Sequence, residues 1–411
     1  MTATIEDATR GIAVPAATAT KTGKPTNQRL YVLDLLRFSA AIMVLGYHLI
    51  PIVEFVYGVD ADAYFGRLIA QGFRYGWMGV HLFFIISGFV ICMSSWGRSA
   101  SEFFISRVTR LMPAYVLAVL LTTALLTLWW PAAERPSPVA VLANLTMVQG
   151  LLGVPNIDTV YWTLLVELKF YLLFAIVVRL GLTYRRVVAF CLLWTTASLL
   201  VQVKNIGILS TVLEPTYTYF FVAGIVLYLM HRFGPNPLLW GMLVASWIFS
   251  TNSLRIVFAE HQVPMRFNVA LVLLTVFFAV MTAIALGWFS WLRWRGSTTI
   301  GALTYPVYLV HFFLAYAILR KLHGRLPDAV LLVLTVATVL AVGYVIHRLV
   351  EQPVGRALRT SLRRAFADIR RADGVEPERR TDEPVVAGRA AGPSTFTGSF
   401  DGADRLPERA D

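Results

Sequence analysis

Arg37 and His48 stand about eleven positions apart in the apolar segment LDLLRFSAAIMVLGYH. At 100° per residue, eleven helical steps return to within roughly 20° of the same face and advance about 16 Å along the axis. One stripe of a helix then carries a fixed cation at one end and a titratable imidazole toward the other. Glu167 lies about six residues into YWTLLVELKFYLLF, roughly 9 Å along its own helix. His48 is about five residues from the far end of its segment, so counting sets the two groups at similar depth. A buried carboxylate beside an imidazole fixes the tautomer and raises basicity. That pairing suits general-base removal of a hydroxyl proton. It suits a proton relay equally well. The bland reading makes Arg37 an anchor reaching for headgroups, His48 an interhelical hydrogen-bonder and Lys169 a neighbour that neutralises or snorkels.

Further groups follow along the chain. Arg107 and Arg110, in the inner loop FFISRVTRLMPAY, are i, i+3 neighbours on one face, with Pro113 expected in the first turn of the next helix. Two forked guanidiniums hold phosphate well; membrane anchoring by basic residues is the rival reading. In GWMGVHLFFIISGFVI, Ser87 and three glycines permit close helix approach, and His81 reads as an interfacial or pore group. Tyr305, Tyr308 and His311 recur at i, i+3 on one face. Tyr344, His347 and Glu351 do so near the end of the last apolar run, where a Glu opposes the helix dipole and so is expected to pair with an Arg. Pro353 is expected to stop that helix. Cys92 and Cys191 both lie in apolar runs, which argues against a disulfide framework and a thiolate zinc site. No metal is expected.

The elements that must position these groups are membrane helices. Hydrophobic residues make up 57% of the 411 residues and charged ones 15%, too few charges to cover a soluble surface. With 13% aromatics, the bulk of the chain is not disordered. Ten apolar runs are each about long enough to cross hydrocarbon: 31–53, 77–95, 111–130, 161–180, 186–203, 215–231, 238–254, 268–286, 301–319 and 329–350. The stretch 139–152 is apolar but short, leaving an eleventh, re-entrant or interfacial helix open. The expected fold is all-α, a polytopic transmembrane bundle. No internal repeat is visible. The net charge of +12 is spread over short loops and tails, which speaks for membrane topology and against nucleic acid. Placing the N-terminus inside tips Lys and Arg about two to one inward, with Arg293, Arg295 and both tails in the count. Both termini are therefore expected in the cytoplasm, with the chain in the cell membrane. Residues 1–29 lack the apolar block of a signal peptide and read as a loose tail, 30–355 as the membrane domain, and 356–411 as a disordered basic and polar tail. Arg356–Arg371 could instead lie on anionic headgroups.

Arg37-x10-His48, GWMGVHLFFIISGF, SRVTRLMPAY, YWTLLVELKFYL, TYPVYLVH and the terminal EQP occur in this order on consistent sides of the membrane. Together they resemble integral-membrane acyltransferase family 3 over residues 31–355. The resemblance implies transfer of a short acyl group, usually acetyl, from acyl-CoA to a hydroxyl of a sugar, polysaccharide, glycolipid or natural product. It implies His48 as the catalytic histidine, Arg37 as its paired basic residue, Arg107 and Arg110 as the pair meeting the donor, and Glu351 as the acid of an E-x-P motif. His81 departs from the acidic or small polar residue frequent at that position. No esterase-like domain is expected after the last span, which favours the stand-alone branch with macrolide and polysaccharide O-acyltransferases. On this reading acyl-CoA docks at the cytosolic mouth and His48, helped by Glu167, acts as base or carries the acyl group. Its partners are acyl-CoA, the hydroxyl acceptor and the bilayer; the oligomeric state is open, a homodimer included. The alternatives are a proton-coupled secondary transporter using His48, Glu167 and His311, and a non-catalytic scaffold. Missing repeats and paired arginines tell against the first, and the cost of so many buried ionisable groups tells against the second.

Overall fold

In hydrocarbon every backbone hydrogen bond must close within its own segment, so an open chain crosses as helices. The computed structural model describes residues 30–204, 206–260, 265–292, 294 and 296–372. Among these, ten helices are long and apolar enough to cross a membrane. They are α1 (Tyr31–Tyr57), α2 (Gly79–Ser95), α3 (Ala100–Trp129), α4 (Trp162–Arg179) and α5 (Tyr184–Lys204). Then come α6 (Thr218–Phe233), α7 (Pro237–Glu260), α8 (Phe267–Ala285), α9 (Gly296–Leu322) and α10 (Asp328–Ile346). Helical pieces before α2 and α6 lengthen both into full spans. The expected tail at 1–29, residues 373–411 of the tail expected over 356–411, and Arg293 and Arg295 lie outside the described residues.

Three expectations are corrected. The segment SRVTR is not a loop: α3 starts at Ala100, where Ser99 and Glu102 form a reciprocal capping box, satisfying the first free backbone donors. Pro113 therefore sits inside α3 rather than at its start. At the other end, Pro353 does not stop the chain's helical course. A wide π-type turn, His347–Glu351, absorbs the break, and Pro353 falls in the first turn of α11 (Gln352–Ala372), where its missing N–H costs nothing. Regular structure thus runs through Arg356–Arg371, the stretch for which a disordered tail or a basic amphipathic segment was expected. The membrane unit extends to Ala365; residues 366–372 belong to a second unit, in which Arg371 pairs with Asp368 at 3.3 Å.

The stretch after α3 supplies no eleventh span. Pro138–Leu145 has only 8 residues, followed by single turns at Gln149–Leu152 and Thr159–Tyr161. Its polar groups are satisfied inward: buried Asn144 accepts from Ile157 N at 3.0 Å and donates to Pro155 O at 3.0 Å, and Tyr115 OH donates to Asn144 O at 2.6 Å. Buried Asp158 accepts from Val160 N at 3.2 Å and from Phe313 N, midway along α9, at 3.3 Å. Through these bonds α4 begins inside the bundle, beside the middle of α9.

α2, α6 and α9 are the most enclosed spans. Without a hydrophobic drive between helices in lipid, close packing comes from small residues at the crossings. A Cβ at Gly224 of α6 would stand 1.9 Å from Ile85 O of α2, and one at Gly88 would stand 2.1 Å from Phe221 O. Backbone meets backbone there, so neither position has room for a methyl group. Gly224→Ala is expected to destabilise the protein by about 1–3 kcal/mol, the usual cost of overpacking. Gly241→Ala, with nothing within 4 Å of the new carbon, is the control and should leave the thermal midpoint in detergent unchanged or slightly raised.

Candidate active site

Three cavities follow one another through the bundle and share walls. An inner mouth lies between α3 and α11, lined by Arg107, Arg110, Glu351, Arg356 and Arg359 among others. Arg107 and Arg110 also line a central cavity, joined there by Arg37, Ser87, Glu167, Tyr305 and Tyr308. Tyr308 and Val80 in turn border an outer cavity, which holds His48 and His81 with Tyr47, Trp77 and Trp162. Arg37, His48, His81, Ser87, Arg107, Arg110, Glu167, Tyr305, Tyr308 and Glu351 line these spaces, whereas Lys169, Tyr344 and His347 line none of them. His311 lies outside them but contacts His48 directly.

The geometry of the two histidines fixes their tautomers. His311 Nδ1 lies 2.7 Å from Tyr308 O, and His48 Nδ1 lies 3.0 Å from Val44 O. A backbone carbonyl only accepts, so each Nδ1 carries the proton when the ring is neutral. His311 Nε2 is then a lone pair, and it accepts from the His48 Nδ1–H at 3.1 Å. His48 Nε2 is left as a lone pair with no hydrogen-bond partner among the described residues, on a ring that borders the outer cavity. Phe312 and Tyr47 pack edge-on against the His48 ring at 5.0 and 5.1 Å, holding its plane. An imidazole held in this way can accept a proton on its second nitrogen.

The expected His48–Glu167 pair does not form. Glu167 lies in the central cavity, where its Oε1 accepts from Ser87 Oγ at 2.6 Å and from Tyr171 OH at 2.5 Å. Counting residues from the start of α4 misjudged the depth, because the stretch before α4 turns inward and α4 starts within the protein. Thr163, one turn above Glu167, already meets Tyr308 OH at 2.8 Å. The partner expected for Glu351 also changes: His347 Nδ1 donates to Glu351 Oε2 at 2.8 Å, with Gln352 Nε2 donating to His347 Nε2 at 3.0 Å. Lys169 pairs with Glu214 and does not enter the site. His81 is buried among Trp77, Tyr217 and Phe220 rings at the outer cavity. Tyr305 OH donates to Leu111 O at 3.1 Å, tying α9 to α3.

Arg37, Arg107 and Arg110 face the central cavity against a single carboxylate, Glu167. Among the described residues none of the three forms an ion pair, and the Arg107 Nε has no hydrogen-bond partner. Arg107 leans on Phe103 and Tyr171, 6.0 and 5.8 Å from the ring centres. A cavity inside a membrane protein that carries excess positive charge strongly favours an anion. Sequence reading missed Tyr171, Thr163 and Asp158. Tyr171 was findable, since it stands one helical turn after Glu167; Asp158 was not, because its partner is a backbone N–H distant in sequence.

A polytopic bundle in which adjoining cavities lead from an arginine-lined mouth to a paired histidine holds the groups that a group-transfer reaction uses. Residues 30–348 match the acyltransferase 3 family, described as an acyltransferase domain, and the chain belongs to that family. Acyltransferase MdmB of Streptomyces mycarofaciens is 26% identical over 414 residues, covering 89% of this chain and 100% of that protein. No solved structure matches. The protein is thus an acyltransferase built as a multi-pass membrane protein.

The tautomer assignment has a direct readout. In ¹⁵N-histidine-labelled protein, His48 is expected to show a protonated Nδ1 and an unprotonated Nε2 at neutral pH, by solid-state NMR. His311→Phe removes the acceptor and should shift the His48 Nδ1 resonance. An Nε2–H form at His48 would contradict the assignment.

Proposed function

We propose that the protein transfers a short acyl group, acetyl foremost, from acyl-CoA to a hydroxyl of a sugar, glycan, glycolipid or macrolide-type natural product. The observation that carries this reading is the order of the passage: guanidiniums at the mouth, a narrow middle, and an imidazole base beyond. The phosphates of the donor dock on Arg107, Arg110 and Arg37, where forked donors suit them. The long flexible pantetheine arm runs through the central cavity, spanning the roughly 16 Å rise from Arg37 to His48. The acceptor occupies the outer cavity with its hydroxyl on His48 Nε2. As the hydroxyl oxygen forms its bond to the acyl carbon, His48 takes the proton, the C–S bond breaks, and the proton passes to the departing thiolate. His311 Nε2 accepts from His48 Nδ1–H throughout, and so favours the imidazolium formed midway. Glu167 lowers the charge among the arginines and orders Ser87 and Tyr171.

Ten crossings bring both ends of the membrane domain to one side, and the excess of Lys and Arg on that side supports a cytoplasmic location for both termini in the cell membrane. Donor then enters from the cytoplasm and acceptor from the outer half.

Two variants separate the ends of the passage. Arg107→Ala or Arg110→Ala is expected to weaken acetyl-CoA binding to purified protein by about 1.5–3 kcal/mol each, the worth of a charged hydrogen bond. His48→Gln should bind acetyl-CoA as the parent does yet transfer acetyl about 10²–10⁴-fold more slowly. Transfer is followed by mass spectrometry of cellular glycans and small molecules for the mass of one acetyl group. Equal donor affinity in the arginine variants, or parental transfer by His48→Gln, would overturn the assignment.

A further inference from the structure

Arg356 and Arg359 lie beyond every motif of the sequence-level site, yet both line the inner mouth with Arg107 and Arg110. Gly355 brings them there. It is buried, and a Cβ on it would stand 2.9 Å from Thr109 O, so α11 crosses α3 at nearly backbone distance. Arg356 is steadied by its Nε, which donates to Gln352 O at 3.2 Å. Among the described residues Arg359 makes no ion pair, and the mouth's carboxylate, Glu351, is held by His347 at 2.8 Å. Four guanidiniums therefore border one open cavity with no carboxylate partner among the described residues.

The cations are ordered along the passage. Arg356 and Arg359 border the mouth alone, Arg107 and Arg110 border both mouth and central cavity, and Arg37 borders the central cavity alone. Acyl-CoA presents its charges in a matching order: a ribose 3′-phosphate, then the diphosphate, then an uncharged arm ending in the thioester. The geometry points to Arg356 and Arg359 as the site for the 3′-phosphate of the donor, with Arg107 and Arg110 taking the diphosphate. This rests on acyl-CoA being the donor. The same phosphate chemistry could come from an anionic lipid headgroup at the membrane surface, and the test separates the two sources.

Full-length protein and its Arg356→Gln/Arg359→Gln variant are placed in nanodiscs of phosphatidylcholine alone or with phosphatidylglycerol, and Kd is measured for acetyl-CoA and for acetyl-dephospho-CoA. The parent is expected to bind acetyl-CoA about 10- to 100-fold more tightly than the dephospho form, the scale of charge-assisted hydrogen bonds to one phosphate. The double variant should bind the two within about threefold of each other in both lipids, as expected once those bonds are gone. Undiminished discrimination in the variant, or none in the parent, overturns the inference while leaving acyl-CoA as donor. A variant effect seen only with phosphatidylglycerol, and equal for both thioesters, assigns the arginines to lipid and also overturns it. Failure of the parent to bind either thioester removes the donor assignment and this inference together.

Discussion

The hydrogen bond from His48 Nδ1 to His311 Nε2, 3.1 Å long, is the interaction on which the site depends. It forms only because each ring is anchored through Nδ1 to a carbonyl of its own helix, Val44 O for His48 and Tyr308 O for His311. The bond ties α1 to α9, and the next link ties α9 to α4 through Tyr308 OH and Thr163 Oγ1 at 2.8 Å. Three helices are thereby registered at one depth. The free lone pair on His48 follows from that register, as a neutral imidazole has one proton to place.

Charge organises the other half of the passage. Guanidiniums inside a membrane protein are costly unless paired or hydrated, and Arg37, Arg107 and Arg110 share a cavity with Glu167 alone. Glu167 is itself saturated on Oε1 by the hydroxyls of Ser87 and Tyr171. Arg107 and Arg110 border both the central cavity and the mouth, where Arg356 and Arg359 join them, which supports entry of an anionic donor from that side. Beyond Tyr308 the lining turns aromatic and neutral. Its polarity changes over about the length of one helix stripe, from Arg37 to His48, roughly 16 Å.

Much of this was legible in the sequence, because hydropathy and helical spacing are local. The ten spans, the shared stripe of Arg37 and His48, and the shared face of Tyr305, Tyr308 and His311 all follow from counting. What failed was depth and partnership. Glu167 was matched to His48 by counting from an assumed membrane surface, whereas Asn144 and Asp158 fold the preceding stretch inward and start α4 inside the protein. Pro113 and Pro353 were read as boundaries, but a capping box upstream and a π-type turn upstream, respectively, moved the helix starts. Each miss comes from a contact made across the fold or from a break that the local rule does not weigh. The same holds for Arg356 and Arg359, whose place at the mouth depends on a glycine crossing that no spacing rule reveals.

The central claim is that one passage joins the arginine mouth to the His48 lone pair and is traversed by a single donor molecule. The most direct measurement is a cryo-electron-microscopy structure with a non-reactive ketone analogue of acetyl-CoA, in which carbon replaces the thioester sulfur. The account predicts the diphosphate at Arg107 and Arg110, the arm in the central cavity past Tyr308, and the acyl carbonyl beside His48. An analogue whose nucleotide sits away from those arginines, or whose acyl end points away from His48, would contradict it.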